Sequence, residues 1–243
     1  MIGIIRAGVV PRVNGYSMNN QALQNLFSVA KPTQYSAGEI IARAEDDLKS
    51  IYLIESGFVR VYSINSRNEE YLHIIYKSGE LFPLMSLTAK KQRGVFYEAL
   101  DTAVVRRLPV DDLLHQMKTD AQLAYELTMQ IMEQFNVYID RVDNLEYKFG
   151  RERLVYRILA LASRFGRKNA RGLSIDLPIT QKVLGSSINL SRETVARELR
   201  RLEDRGLVTY EDRKILILDL EALAAELKDP INQDLWGLRK AGV

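Results

Sequence analysis

Between Thr119 and Lys148 the sequence carries a helical repeat so regular that it constrains what can be built on either side. Leu123, Leu127, Ile131, Phe135, Tyr138, Val142, Leu145 and Phe149 follow one another at steps of three or four, which places them on one stripe of an α-helix. A second, weaker set, Tyr125, Met129, Met132 and Ile139, falls on an adjacent part of the same surface. Such a helix has more apolar surface than a single small neighbour would cover. Two arrangements satisfy it: a helix buried within its own domain, or a coiled-coil-like seam between two copies whose other face rests on a β domain.

Upstream, a helix-like segment at Gln21 to Ala30 gives way to SIYLIES, FVRVYSI, EYLHIIY, VFYEALD and TAVVRRL, short runs rich in Val, Ile and Tyr. Gly38, Gly57, Gly79 and Gly94 fall between them, where a reversing chain can use positive φ. Strands this short at this spacing predict a sandwich, barrel or roll. Pro109 closes the last strand, and Val110 to Lys118 reads as a short helix. Downstream, RERLVYRILALASRFG at 151–166 predicts another amphipathic helix, ended by Gly166 and a basic loop, RKNARG. The opening MIGIIRAGVVPRVNGYS is expected to be a poorly ordered leader, with Met18 available as a second start.

Composition removes several kinds of chemistry. The chain has no cysteine, which excludes disulfides, thiol catalysis and thiolate-held metal sites. Its two histidines, His73 and His115, lack metal-ligand spacing, so no metal or cofactor is expected. No apolar run is long enough to span a membrane, and a cytoplasmic protein is expected. The net charge of +3 hides an asymmetry: residues 1–148 hold 16 Lys and Arg against 18 Asp and Glu, whereas residues 149–243 hold 18 against 13. A basic module on a mildly acidic one suits a nucleic-acid reader carrying a sensor, although a solvated basic face has the same composition.

The residues from Ile179 onward, ITQKVLGSSINLSRETVARELRRLEDRGLVTYEDRKILIL, give that asymmetry a structure. A helix can run from Thr180 to Ser187; a tight turn at Ile188 to Leu190 follows, with Asn189 able to adopt the left-handed conformation. Ser191 then caps a second helix. Val195, Leu199 and Leu202 form its inner face, and Gly206 ends it. Two helices joined this way, the second Arg-rich at its N-terminal end, satisfy the helix-turn-helix geometry that places this end in a DNA major groove. Arg can donate twice to guanine and Glu can accept from cytosine, so Arg192, Glu193 and Arg197 form a G·C-reading set. Thr180, Ser191, Thr194, Arg200 and Arg201 are expected to meet the DNA backbone. LVTY and KILIL around EDR predict a hairpin, the wing of a winged helix.

The same residues admit other readings. An isolated helix of this composition could be a solvated surface held by charge pairs such as Glu193 to Arg197. An enzyme would need its own motif, and the sequence has no G-x-x-x-x-G-K-[ST] loop, G-x-G-x-x-G, H-E-x-x-H or G-x-S-x-G. A signalling subunit with a protein partner would require the Arg-rich helix to be buried or to face protein.

SRETVARELRRLEDRGL closely resembles the recognition helix of the CRP/FNR family, the cyclic-AMP receptor protein and fumarate–nitrate regulator group. The similarity extends over most of residues 20–218, through AGEIIARAEDDLKSIYLIESGFVRVY, SGE, VDNL and ERLVYRILALA. It implies an α+β chain with a β-roll sensor domain at 19–118, a dimerisation helix at 119–148 and a winged helix-turn-helix domain at 149–243. It further implies a homodimer paired through Leu123, Leu127, Ile131, Phe135, Tyr138, Val142 and Leu145. The partners it implies are double-stranded DNA at a palindrome with TGTGA-like half-sites, RNA polymerase, and a small-molecule effector or none. In the family's cyclic-AMP binders an Arg-Ser pair holds the phosphate, a Glu precedes it, and a Thr-Ser pair on the dimer helix meets the adenine. Here those places fall on Arg93 and Gly94, on Leu84, and on Tyr138 and Ile139, so only the Arg is kept. Cyclic AMP is therefore not the expected effector. An iron–sulfur cluster is disfavoured by the absence of cysteine, and haem by the scarcity of histidine.

Overall fold

The computed structural model describes residues 20–43, 46–47, 49–88 and 94–227, which divide between Val142 and Asp143 into two compact units. The expected leader at 1–18 lies outside the described residues.

The first unit opens with α1 (Gln21–Ser28), followed by β1 (Pro32–Tyr35), β2 (Ile40–Ala42), β3 (Ser50–Ser56), β4 (Val59–Ile64), β5 (Glu70–Tyr76), β6 (Leu81–Phe82), a 3-10 turn at Leu84–Leu87, β7 (Val95–Ala99), β8 (Ala103–Pro109) and α2 (Val110–Met117). The strands form two antiparallel four-stranded sheets, ordered β1-β8-β3-β6 and β2-β7-β4-β5. Gly38, Gly57, Gly79 and Gly94 all have positive φ, as their places between strands require. One apolar core gathers Ile54, Val59, Val61, Ile74, Tyr76, Phe82, Tyr97 and Val105. A second gathers Leu23, Phe27, Ile51, Leu53, Leu81 and Leu113.

The long helix, α3 (Ala121–Glu146), starts where Asp120 accepts the Leu123 N–H at 3.0 Å, and it runs across the division between the units. Its apolar repeat is not one continuous seam. Leu123 and Leu127 are 2% and 0% exposed and lie in the second core beside Leu23 and Phe27, which corrects their assignment to a surface facing a second copy. From Ile131 on the same repeat is exposed, with Phe135 at 58% and Val142 at 61%.

Polar side chains hold α3 to the roll. Glu126 accepts from the N–H groups of Ala22 and Leu23 at 3.2 and 3.0 Å, satisfying the first turn of α1. Gln130 accepts from the Leu81 N–H at 3.1 Å and donates to the Gly79 carbonyl at 2.7 Å; Gln134 donates to the Leu81 carbonyl at 3.1 Å. The helix thus gives the short strand β6 the partners that a neighbouring strand would give.

The second unit contains α4 (Gly150–Phe165), β9 (Gly166–Asn169), β10 (Gly172–Ile175), α5 (Gln181–Ile188), α6 (Arg192–Asp204), β11 (Val208–Glu211), β12 (Lys214–Ile217) and α7 (Leu220–Ala224). Its sheet runs β11-β12-β10-β9. The segment RKNARG, read above as a loop, is part of the β9–β10 hairpin, because β10 pairs along its other edge with β12.

Candidate nucleic-acid interface

The α5–α6 pair is shaped by local chemistry at each of its joints. Thr180 Oγ1 accepts the Val183 N–H at 3.2 Å and so caps α5. Asn189 ends that helix in the left-handed region at φ 55°, ψ 47°. Gly185 allows the turn to close, since a Cβ there would lie 2.5 Å from the Leu190 carbonyl oxygen. Ser191 Oγ then accepts the Thr194 N–H at 3.2 Å, capping α6.

Helix α6 buries Val195, Glu198, Leu199 and Leu202 and leaves Arg192, Glu193, Arg197, Arg200 and Arg201 exposed. The three residues expected to read bases therefore share the free N-terminal part of one helix, with Ser191 and Thr194 at its tip. Their electrostatics differ from the simple pairing of Glu193 with Arg197. The backbone N–H of Glu193 and then the polar group of Ser191 hold the Glu193 carboxyl below the ordinary carboxylate range. The pairing carboxylate is Glu198, buried beneath the basic row, with Arg197 Nε at 3.4 Å and Arg201 Nη1 at 2.8 Å. Sequence reasoning missed Glu198, although its i, i+3 relation to Arg201 was a usable signal.

The hairpin after α6 turns through Asp212 and Arg213, at φ 49° and 63°, between the paired residues Glu211 and Lys214. Two consecutive left-handed residues match the twist of a two-residue hairpin. The Arg213 carbonyl accepts the Ile179 N–H at 2.8 Å, and Tyr210 Oη donates to the Ile179 carbonyl at 3.0 Å. The wing is thereby fastened to the residue before the cap of α5.

The residues proposed for an effector are not brought together in the same way. Leu84 packs against the second core with Leu23 and Phe27, so it does not join the cluster around Phe82 and Tyr97. Gly94 is exposed in an open turn at φ +69°, and Arg93 lies outside the described residues. On α3, Tyr138 is 40% exposed and Ile139 half-buried. The phenol of Tyr97 is raised first by burial and then by the influence of Tyr138. Elsewhere in this unit the buried Arg60 on β4 is fully paired, with Glu70 and Glu98 each at 2.8 Å. Tyr62, donating to Glu98 at 3.0 Å, is pushed up to about 12 by burial and by that carboxylate.

A family model for the cyclic nucleotide-binding domain matches residues 32–120, and one for the Crp-like helix-turn-helix domain matches residues 152–226. The chain belongs to the CRP/FNR family. Within that family it is 27% identical over 81% of its length to Electron transport regulator A of Shewanella oneidensis, covering 78% of that protein. It is 29% identical over 84% of its length to the fumarate and nitrate reduction regulatory protein of Salmonella typhi, covering 80% of it. The structure of FixK2 from Bradyrhizobium japonicum has the same fold, with a TM-score of 0.69 at 22% identity over 80% of this chain and 95% of that one. The expected α+β architecture of β-rich domain, long helix and helix-turn-helix is thus borne out. As a CRP/FNR member the protein is a DNA-binding transcription regulator and not an enzyme. Among the described residues no helix is long and apolar enough to cross a membrane.

Proposed function

We propose that the protein acts in the bacterial cytoplasm as a homodimer on a palindromic duplex with G·C-containing, TGTGA-like half-sites about one helical turn, ~34 Å, apart. Arg192, Glu193 and Arg197 read bases; Thr180, Ser191, Thr194, Arg200 and Arg201 meet the sugar–phosphate backbone. Residues 149–243 supply this module, 119–148 the pairing helix and 19–118 the sensor, and RNA polymerase is the partner at the promoter. The observation that carries the reading is the exposure of the three base-reading side chains on one end of α6, above a carboxylate that fixes the helix's basic row.

The pairing surface is the part of the repeat that α3 leaves exposed: Ile131, Phe135, Tyr138, Val142 and Leu145, spaced alternately by four and three residues. The sensor works with an effector other than cyclic AMP or with none. Burying a cyclic phosphate requires a cation and hydrogen-bond donors. Gly94 has no hydroxyl, Leu84 turns to another core, and Tyr138 and Ile139 put bulk where two small hydroxyls would stand. With no cysteine, the chain has no thiolates for an iron–sulfur cluster either.

Fluorescence anisotropy on a TGTGA palindrome and a scrambled duplex tests the reading. Arg197→Ala is expected to cost about 1–3 kcal/mol per contacted base pair on the palindrome and to narrow its advantage over the scrambled duplex. Unchanged binding to both would remove Arg197 from the base-reading set.

A further inference from the structure

Glu198 is the unusual member of α6. Val195, Leu199 and Leu202 form the apolar inner face, and Glu198, 6% exposed, is buried beside them. Its Oε1 meets both of its cations, Arg201 Nη1 at 2.8 Å and Arg197 Nε at 3.4 Å. Its Oε2 is buried without a hydrogen-bond partner among the described residues. Burying a carboxylate with one oxygen unmet is unfavourable, and a leucine or methionine here would carry no such cost. A local rule broken without a gain in stability marks a functional position.

The two contacts differ in kind. Arg197 and Arg201 stand about one helical turn apart, a like-charge pair that Glu198 relieves. Arg197 gives the acid its Nε, the corner of the fork nearest the helix, and keeps Nη1 and Nη2 at the far end of a side chain that is 56% exposed. Those two nitrogens are a pair that can donate end-on to guanine O6 and N7. Arg201 instead gives a terminal nitrogen, Nη1, at the shorter distance, so part of its charge is neutralised within the protein. Glu193, four residues before Arg197, makes no ion pair with it among the described residues, so the acid that holds Arg197 is not the acid assigned to cytosine. A side chain already held in its reading posture also loses less freedom on binding.

We propose that Glu198 is a positioning residue for sequence discrimination: it holds Arg197 so that the terminal nitrogens are presented to a base, and it offsets the charge that Arg201 offers to any phosphate. One buried carboxylate thereby favours the right sequence and disfavours all others, which enlarges a difference of affinities from both sides. The proposal rests on the reading of Arg197 as a base reader and names what sets its selectivity.

The full-length protein first selects its own site from a pool of random-sequence duplexes, and anisotropy on that site and on a scrambled one is followed over a salt series. Glu198→Gln keeps the shape and removes the charge. It is expected to tighten scrambled binding about two- to fivefold, to steepen the slope of log K against log salt by up to about one, and to lower the selected-to-scrambled ratio about fivefold or more. Glu198→Asp keeps the charge but is a methylene too short to meet both arginines. It is expected to keep the wild-type salt slope and to lower the ratio. In an Arg197→Ala background, Glu198→Gln should lower the ratio no further, because the acid acts through that side chain. An unchanged ratio in Glu198→Gln overturns the proposal, as does an equal loss on both duplexes, the mark of a merely structural role. Should Glu198→Gln not fold, Glu198→Asp decides by its ratio alone. The two readings fail differently. If Arg197→Ala leaves the ratio unchanged, the base-reading assignment falls and the positioning role with it; if Arg197→Ala lowers the ratio and Glu198→Gln does not, the positioning role alone falls.

Discussion

The two faces of α3 reverse the usual distribution of polarity. Beyond Leu123 and Leu127, the face turned into its own unit carries Glu126, Gln130 and Gln134, only 3%, 2% and 5% exposed, whereas the face left open carries Ile131, Met132, Phe135 and Val142. The inner face meets backbone groups at the start of α1 and on β6, which need partners in fixed directions. The outer face offers area without direction, and area is what a second helix of the same kind can cover. Polar side chains, with Leu123 and Leu127, therefore fix where the helix lies on the roll, and the exposed apolar ones supply the surface proposed for association.

The largest effect should come from breaking the outer face. Phe135→Asp places a charge at the middle of the proposed seam and is expected to weaken the dimer at least ~100-fold, about 2.7 kcal/mol, with little change in the fold of each chain. Sedimentation velocity across a concentration series measures it. A variant that dimerises like wild type would place the interface elsewhere.

Gln130→Leu tests the inner face. It leaves the Leu81 N–H without its acceptor and the Gly79 carbonyl with Asn20 alone as its side-chain donor, at a cost of about 1–3 kcal/mol in stability. Urea unfolding should show that loss, while the dissociation constant of the folded dimer stays near the wild-type value. If dimer affinity fell and stability did not, the division of labour between the faces would be wrong.

The smallest effect is a slope with pH. His73 has a folded-state pKa below its ordinary 6.5, through burial first and Arg141 second. The unfolded chain then binds the proton more readily, so this contribution to stability is present above pH 6.5 and is lost as the pH falls through the folded value. His73→Gln should flatten the stability profile over that interval. An unchanged slope would show that the imidazole does not sense the helix.

What could be read in advance follows the range of the interactions. The α5–turn–α6 joint was legible because Thr180, Asn189 and Ser191 act on backbone groups only a few residues away. The repeat on α3 was legible as a stripe, but the inward turn of Leu123 and Leu127 depends on Leu23 and Phe27, about a hundred residues upstream. RKNARG read as a loop because its hairpin is anchored by residues 215–217 of β12. The contact of His73 with Ser63 could not be read at all, since it depends on a one-residue bulge in the pairing of β4 with β5.

The spacing of Glu126, Gln130 and Gln134 has a mechanical consequence. Each rung lies about one helical turn from the next, and each is matched to a different backbone group. The helix is keyed to the roll in one register. A slide by part of a turn breaks all three rungs together, and a slide by a whole turn, about 5.4 Å, would set a carboxylate or an amide against the wrong partner. Displacement of β6 must therefore carry α3 with it as a single piece, so a small event in the roll reaches the exposed apolar face as movement of the whole helix.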